Sequence, residues 1–179
     1  IIFLKKYAQK YNFKILLRIH QSDDIRRWHK IDNDEYLKFY PDKKSHKEPN
    51  QNVADINHQI SLSKQIKNSF VVICSYSTIT YDSLCLGVPF INLGYDFYDT
   101  SFYKSVKRLE EYEHIKPFIK LIFCDNVRSK NELLDRILFR QKKGFSKIEN
   151  EARIDFLKES LAPNIGETWI NNIIKELKI

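Results

Sequence analysis

The chain has 179 residues, 42% of them hydrophobic and 13% aromatic, which suits one folded domain with a substantial core and argues against a disordered chain. No apolar run approaches the roughly 20 residues that a membrane-spanning helix requires. The net charge of +7 is compatible with anionic partners such as nucleotides or acidic membrane surfaces, and equally with a charge that serves solubility alone.

Three cysteines, an odd number with no close pair, are typical of a reducing compartment. We interpret Cys74, Cys85 and Cys124 as buried small side chains. No secretory signal pattern is present, so we expect a cytoplasmic location, either free or in peripheral contact with the anionic inner face of the cell membrane. The absence of methionine indicates that the chain is a piece of a longer protein.

The N-terminal third predicts alternating helices and strands. Apolar residues at positions 1, 4, 8 and 11 have helical spacing. Because parallel folds usually begin with a strand, we expect a further strand upstream of residue 1. The elements that follow are strands over residues 13–19 and 36–40, a helix starting at residues 21–24, a polar loop over residues 42–50, and a helix over residues 53–67 that buries Val53, Ile56, Ile60 and Ile66.

A strand, a helix and a second strand follow in the centre of the chain. Phe70–Cys74 and Val88–Leu93 are short, unbroken apolar runs, which indicates strands buried on both faces. Between them, Ser77 can cap a helix whose left-handed C-terminal position is Gly87. This order of elements predicts a right-handed parallel crossover.

The loop that enters this helix is the candidate binding site. Ser75, Ser77 and Thr78 place hydroxyls beside backbone N–H groups at the positive end of a helix, where a phosphate can bind. Asp82 lies one turn after Thr78 on the same face, and its carboxylate can accept hydrogen bonds from ribose hydroxyls. The alternative is simple N-capping with Asp82 as a solvated acid of the first turn, and the local pattern does not decide between the two.

The stretch after Asp96 carries a weaker pattern, and its aromatic and charged residues as far as Lys116 indicate a loop plus a helix. Phe118–Cys124, just past a proline, is apolar and predicts the next strand, with Cys124 at its end. Ser129 and Glu132 then have the spacing of a capping box. The helix that they start buries Leu133, Leu134, Ile137 and Leu138 and ends at Gly144, and two further helices span residues 147–161 and 167–177.

Strands that alternate with helices, without hairpin signals, predict a three-layer α/β fold with about five parallel strands. We expect a Rossmann-like parallel sheet with helices on both faces, formed by residues 1–145. The helices of residues 146–179 then pack on this domain or toward an N-terminal domain that the chain lacks. Open α/β sheets bind ligands at the carboxyl ends of their strands, where Arg18 and His20 fall.

Two stretches carry a resemblance to a known family. Asn68–Thr78, with Asp82-Ser83-Leu84 and Leu86–Ile91, resembles the donor-binding segment of GT-B glycosyltransferases, and is most similar to capsular and surface-polysaccharide transferases and to the CDP-glycerol glycerophosphotransferases. Leu17–His20 resembles their Arg-x-His-Pro motif, with Gln21 in place of the proline. The resemblance covers residues 1–126.

The resemblance implies the C-terminal, nucleotide-binding half of a two-domain transferase. The acceptor half, which in many members carries the catalytic base, lies upstream, so we expect this fragment to be inactive alone. A nucleotide-linked sugar or CDP-glycerol is the implied donor, and His20 is the candidate catalytic residue. The implied donor contacts are Arg18, His20, Ser75, Ser77, Thr78 and Asp82.

No cofactor and no metal are expected, because the GT-B group commonly works without a bound metal. The scattered residues His29, His46 and His58 also lack the spacing of metal ligands. A nucleic-acid partner is not expected, since the basic residues are mixed with 23 acidic ones rather than gathered in a stripe.

Several alternatives stay open. The chain can be a glycerophosphotransferase half acting in teichoic-acid-like polymer synthesis, or a non-catalytic Rossmann-like interaction domain. Arg18 can form an ordinary surface ion pair, His20 can cap its strand, and Trp28 can belong to a core rather than stack on a base. Tyr95 and Asp96 can start a turn or contact a ligand. The last helix, rich in apolar residues, is expected to need cover from the missing half; its apolar residues are Trp169, Ile170, Ile173, Ile174 and Leu177.

Overall fold

The computed structural model describes residues 1–19, 28, 31, 33–40, 56–96, 99, 101–113 and 115–160. The chain is a mixed α/β protein whose five described strands form a two-stranded and a three-stranded sheet, both parallel. This confirms the α/β class. The chain divides into two compact units, residues 1–59 and 60–179. The predicted helix start at residues 21–24, the loop at 42–50 and the helix at 167–177 lie outside the described residues.

The first unit contains helix α1 (Ile2–Tyr11) and strands β1 (Ile15–Arg18) and β2 (Leu37–Tyr40). All three agree with the sequence prediction. The helix buries Leu4 and Ala8, as its apolar spacing requires. The two strands pair in parallel, and Ile19, Leu37 and Phe39 form a small core beside them.

The sheet of the second unit contains β3 (Val72–Cys74), β4 (Phe90–Leu93) and β5 (Asp125–Val127), in that spatial order. Helix α3 (Ile79–Cys85) connects the first two strands, and the predicted strand–helix–strand unit is confirmed. Gly87 has the predicted left-handed conformation, with φ of 69°. The central strand β4 is buried along most of its length, whereas the edge strand β3 is only half-buried.

The predicted strand at Phe118–Cys124 is wrong. Residues Lys116–Ile119 form the short helix α4, with Pro117 in its first turn, where a missing N–H costs nothing. The chain then turns twice before β5 starts at Asp125. Phe118 and Phe123 are fully buried all the same. The apolar run therefore predicts burial correctly, but burial alone does not distinguish a strand from a helix followed by a turn.

Three longer helices belong to the chain as well: α2 (Ile56–Lys67), α5 (Lys130–Lys142) and α6 (Lys147–Ser160). All three were predicted; residues 53–55 and 161, at the predicted ends of α2 and α6, lie outside the described residues. Ile66 of α2 is buried as predicted, but Ile60 is 42% exposed. Val53 and the side chain of Ile56 lie outside the described residues. Between β4 and α4 the chain forms two 3₁₀ segments, Phe102–Lys104 and Val106–Glu111.

The capping box of α5 is confirmed, since the Glu132 N–H donates to Ser129 Oγ at 3.1 Å. The Glu132 carboxylate accepts from the N–H of Arg128, one residue before the cap. Leu133 and Ile137 are buried, while Leu134 and Leu138 are half-buried. The helix ends at Lys142, two residues before Gly144.

The main core of the second unit is rich in aromatic rings. It combines Leu84, Phe90, Phe118, Phe123 and Leu157, so that α3, α4, α6 and the sheet share one apolar cluster. Helix α6 also bonds α3 directly, because the Arg153 guanidinium donates to the carbonyl of Leu84. The same carbonyl also accepts from the N–H of Gly87 at 3.0 Å, so the last turn of α3 and helix α6 share one acceptor.

A buried ion network ties β5, α5 and α6 together. The Arg140 guanidinium, 1% exposed, donates through Nε to Asp125 Oδ2 at 2.6 Å and through Nη2 to Glu149 Oε1 at 2.7 Å. Its Nη1 group donates to the carbonyl of Gly144 at 3.0 Å. Burial opposes ionisation of Glu149, but the hydrogen bonds from Arg140 and Ser146 prevail and lower the pKa of Glu149 to about 2.

Replacing Arg140 by methionine is therefore expected to lower the free energy of unfolding by about 3–5 kcal/mol, because two buried carboxylates lose their cation. Urea denaturation measures this loss. The matched control is Arg136→Met, since Arg136 is 51% exposed and lies 3.7 Å from the same Asp125. That variant is expected to lose at most about 1 kcal/mol, and equal losses in the two variants would contradict the assignment.

Candidate ligand-binding site

The predicted hydroxyl residues lie together in the loop from β3 to α3. Ser75 directly follows β3, and Ser75, Ser77 and Thr78 are all exposed. The predicted cap by the Ser77 side chain is wrong, because Thr78 is the N-cap residue and no side chain caps the helix. The Ser77 carbonyl instead accepts from the N–H of Thr80 at 3.0 Å and from its Oγ1 at 2.8 Å. The hydroxyls of the loop are thus left facing solvent.

The backbone of this loop offers fewer donors than the sequence suggests. The backbone of Ser77 bonds to the Cys74 thiol. In the part of the chain that the structure describes, the N–H groups of Thr78 and Ile79 have no acceptor. Helix α3 has only seven residues, so its dipole adds little to the field at the loop. Any anion bound here would depend mainly on hydroxyls and neighbouring cations.

Asp82 lies in the first turn of α3, one turn past Thr78 as predicted. Its side chain is half-buried, and desolvation raises the pKa of its carboxyl. Within the described ranges no side chain forms an ion pair or hydrogen bond with it. The carboxylate is therefore available to accept hydrogen bonds from a ligand.

Arg18 ends strand β1, in the first unit, as predicted. Its guanidinium lies 4.8 Å from the centre of the Tyr40 ring, and burial lowers its pKa while Tyr40 opposes the change. His20 lies outside the described residues, and its roles as donor contact and catalytic residue stay predictions. Trp28 packs edge-on against Phe39, with ring centres 6.3 Å apart, which favours the core interpretation of Trp28 over base stacking.

Asp96 has a structural role. Its Oδ2 accepts from the Ser105 hydroxyl at 2.5 Å and its Oδ1 from the N–H of Val106 at 2.8 Å, which starts the second 3₁₀ segment. These bonds lower the pKa of Asp96. The turn interpretation of this residue is thus favoured over ligand contact.

A side-chain network that the sequence analysis missed crosses the carboxyl ends of all three strands. Arg128, one residue past β5, donates through both Nη groups to Glu110, with Nη2 to Oε2 at 3.1 Å. Tyr76, two residues past β3, donates its hydroxyl to Glu110 Oε1 at 2.5 Å. Arg128 Nη1 also donates to the carbonyl of Gly94, one residue past β4, at 3.0 Å.

Gly94 makes this network possible. A Cβ atom at this position would lie 2.6 Å from Arg128 Nη1 and 2.6 Å from the Tyr76 hydroxyl, which is closer than real Cβ contacts. Tyr76 itself is 6% exposed and has a left-handed backbone with φ of 44°, uncommon for a bulky residue. Its buried ring and its bond to Glu110 hold this conformation between the exposed Ser75 and Ser77.

The sequence analysis missed Arg128 because it placed the third strand of this sheet a few residues too early. A strand ending at Cys124 puts the binding edge near residue 125, whereas β5 ends at Val127 and puts Arg128 at the edge. A basic residue directly after a correctly placed strand is a signal that would have found Arg128. Glu110 comes from the 3₁₀ stretch, whose pattern gave no signal.

The interior of the sheet carries a second polar cluster. Asn92 of β4 accepts from the Cys74 thiol and donates to Cys124 Sγ, both at 3.3 Å. Burial raises the pKa of Cys74 and of Cys124 to about 12, and that of Cys85 to about 11. All three are free thiols that are partly exposed rather than fully buried as predicted, and the raised pKa favours the protonated, less reactive form.

Comparison with protein-family models, with curated proteins and with solved structures gave no match. Among the helices of the described ranges, none is long and apolar enough to cross a membrane. The described residues also contain no group of three or more His, Cys, Asp or Glu side chains placed to hold a metal ion.

Gly94→Ala is expected to destabilise the chain by about 1 kcal/mol, because the new methyl group displaces the ends of the Arg128 and Tyr76 side chains from their hydrogen bonds to Glu110. Gly144→Ala is the matched control, since a Cβ there meets nothing within 4 Å. That change should be neutral or slightly stabilising. Thermal or urea unfolding of the two variants decides the point, and a Gly94 variant as stable as the Gly144 variant would rule out the close approach.

Proposed function

We propose that this chain is the nucleotide-diphosphate donor-binding part of a glycosyltransferase that acts in cell-surface polysaccharide synthesis, with the Rossmann-like fold of a GT-B half. The observation that carries the proposal is the exposure of Ser75, Ser77 and Thr78 together at the carboxyl end of a strand in a parallel sheet. Parallel α/β sheets bind their ligands at this edge. The resemblance of residues 68–91 to GT-B donor-binding segments supports the same assignment.

The chemistry of the transfer fits these residues. Transfer from a nucleotide-linked donor leaves a nucleotide diphosphate, whose departure is eased by hydrogen-bond donors and positive charge. The loop offers three hydroxyls and the N–H groups of Thr78 and Ile79, and Arg128, paired with Glu110, supplies further N–H donors at the same edge. Asp82, half-buried and without a partner among the described side chains, is the proposed acceptor for the ribose hydroxyls.

The loop hydroxyls do not discriminate between a sugar and a glycerol phosphate as the transferred group. Both donors carry a nucleotide diphosphate, so the same loop would serve either. Melting temperatures of the 179-residue chain with UDP, CDP, GDP and CMP identify the base. A ligand present at about 100 times its Kd adds about 2.7 kcal/mol of stability, and no stabilisation by any nucleotide would contradict the proposal.

Two substitutions in the loop test the phosphate contact. Thr78→Pro removes one N–H donor, and φ of −58° at this position suits proline. Ser77→Glu places a negative charge where the phosphates are proposed to bind. Both are expected to abolish nucleotide diphosphate binding in calorimetric titration while the melting temperature of the free chain stays close to the unmodified value.

Ser160→Glu is the charge-matched control, because Ser160 is an exposed serine at the end of α6 and outside the loop. Its nucleotide affinity should equal that of the unmodified chain. Unchanged affinity in both loop variants would place the phosphates elsewhere.

Asp82→Ala is expected to weaken the binding of nucleosides and nucleotides alike by about 1–3 kcal/mol, the value of a lost charge-assisted hydrogen bond. Inorganic pyrophosphate, which has no ribose, should bind the variant as tightly as it binds the unmodified chain. If pyrophosphate loses as much affinity as the nucleotide, Asp82 does not contact the ribose.

A further inference from the structure

The guanidinium of Arg128 is only partly used by the protein. Its Nη1 and Nη2 groups face the two carboxylate oxygens of Glu110, and Nη1 also reaches the carbonyl of Gly94. Within the described part of the chain, no acceptor is bound by Nε or by the second hydrogen of Nη2. These two N–H groups lie parallel on one side of a planar group, which is the spacing of two oxygens of a phosphate or carboxylate.

The side chain of Arg128 is partly exposed, and its guanidinium is already oriented. The Arg128 side chain is 44% exposed, whereas its partner Glu110 is 21% exposed. Glu110 is itself held by the hydroxyl of the buried Tyr76. A guanidinium fixed by three acceptors loses little conformational entropy when it binds another anion, so it needs less interaction energy than a free surface arginine.

The location connects Arg128 with the hydroxyl loop. Tyr76 touches the network through its hydroxyl and stands between Ser75 and Ser77 in the chain, so one residue contributes to both features. The missing side chain of Gly94 keeps the space between Tyr76 and Arg128 open to both groups. Hydroxyls following β3 and a guanidinium following β5 therefore flank the carboxyl end of the central strand.

The geometry points to Arg128 as a phosphate-binding residue that grips two oxygens of a diphosphate through its Nε and Nη2 hydrogens while Glu110 holds the other side. The inference rests on the proposed function for the nucleotide part of the ligand, but not for the diphosphate. Because Glu110 already balances the charge of Arg128, the paired hydrogen bonds rather than net charge must carry the interaction. A lysine, which is a point charge without a fork, cannot reproduce it.

The test compares Arg128→Lys and Arg128→Gln with the unmodified chain by calorimetric titration of inorganic pyrophosphate, UDP and CDP at one ionic strength. Both variants are expected to weaken pyrophosphate and the bound nucleotide by about tenfold or more, which corresponds to the loss of one charge-assisted hydrogen bond. Arg136→Gln is the matched control. Arg136 is an exposed arginine of α5 with one carboxylate neighbour, Asp125, and its replacement should change neither affinity.

The melting temperature of each variant without ligand shows whether it is folded, and Arg128→Lys keeps a cation beside Glu110 if the glutamine variant unfolds. Full affinity of Arg128→Lys for pyrophosphate would overturn the inference and leave nucleotide binding intact. If pyrophosphate binding depends on Arg128 but no nucleotide binds more tightly than pyrophosphate, the result would support the role of Arg128 and reject the donor-nucleotide function. Failure of the unmodified chain to bind pyrophosphate or nucleotides would reject both.

Discussion

The buried guanidinium of Arg140 is the interaction on which the second unit depends most. It joins the first residue of β5 to helix α5, on which Arg140 lies, and to Glu149 in the first turn of α6. Strand β5 has only three residues and a single aliphatic one, so hydrophobic burial alone cannot fix its position. The ion pair with Asp125 holds the first residue of β5. Because β5 is three residues long, Arg128 then follows at the binding edge, beside Gly94 and Tyr76.

Elements with an apolar period were predictable from the sequence, and the one strand built from polar contacts was not. The apolar spacing of α1, the paired apolar runs around α3 and the capping box of α5 all predicted correct elements, because each signal lies within a few neighbouring residues of the chain. Strand β5 contains Asp125 and Asn126, whose partners lie elsewhere in the chain. Asp125 pairs with Arg140, and Asn126 bonds to Asn92 and to the carbonyl of Ile119. Long-range polar partners have no local signature.

The candidate site divides in the same way. The hydroxyl loop was visible because serines and threonines followed an apolar run, and the structure leaves all three side chains exposed. The bridge between Glu110 and Arg128 spans 18 positions, and its geometry requires the absence of a side chain at Gly94. Such close contacts depend on the residues at which the three strands end. A prediction that misplaces one strand by a few residues therefore does not find them. Arg18 and His20 belong to the first unit, and their part in the same site stays a prediction.

The bonds of Asn92 to Cys74 and Cys124 give the molecule built-in reporters of sheet opening. Each thiol is only partly exposed, its pKa is raised by burial and it is bonded to Asn92, so a thiol-alkylating reagent should react faster once the strands separate. The two sulfur atoms lie on opposite sides of β4 in sequence and in the sheet order. Their separate labelling rates would therefore tell whether β3 leaves the central strand before β5, or whether both leave together in one cooperative step.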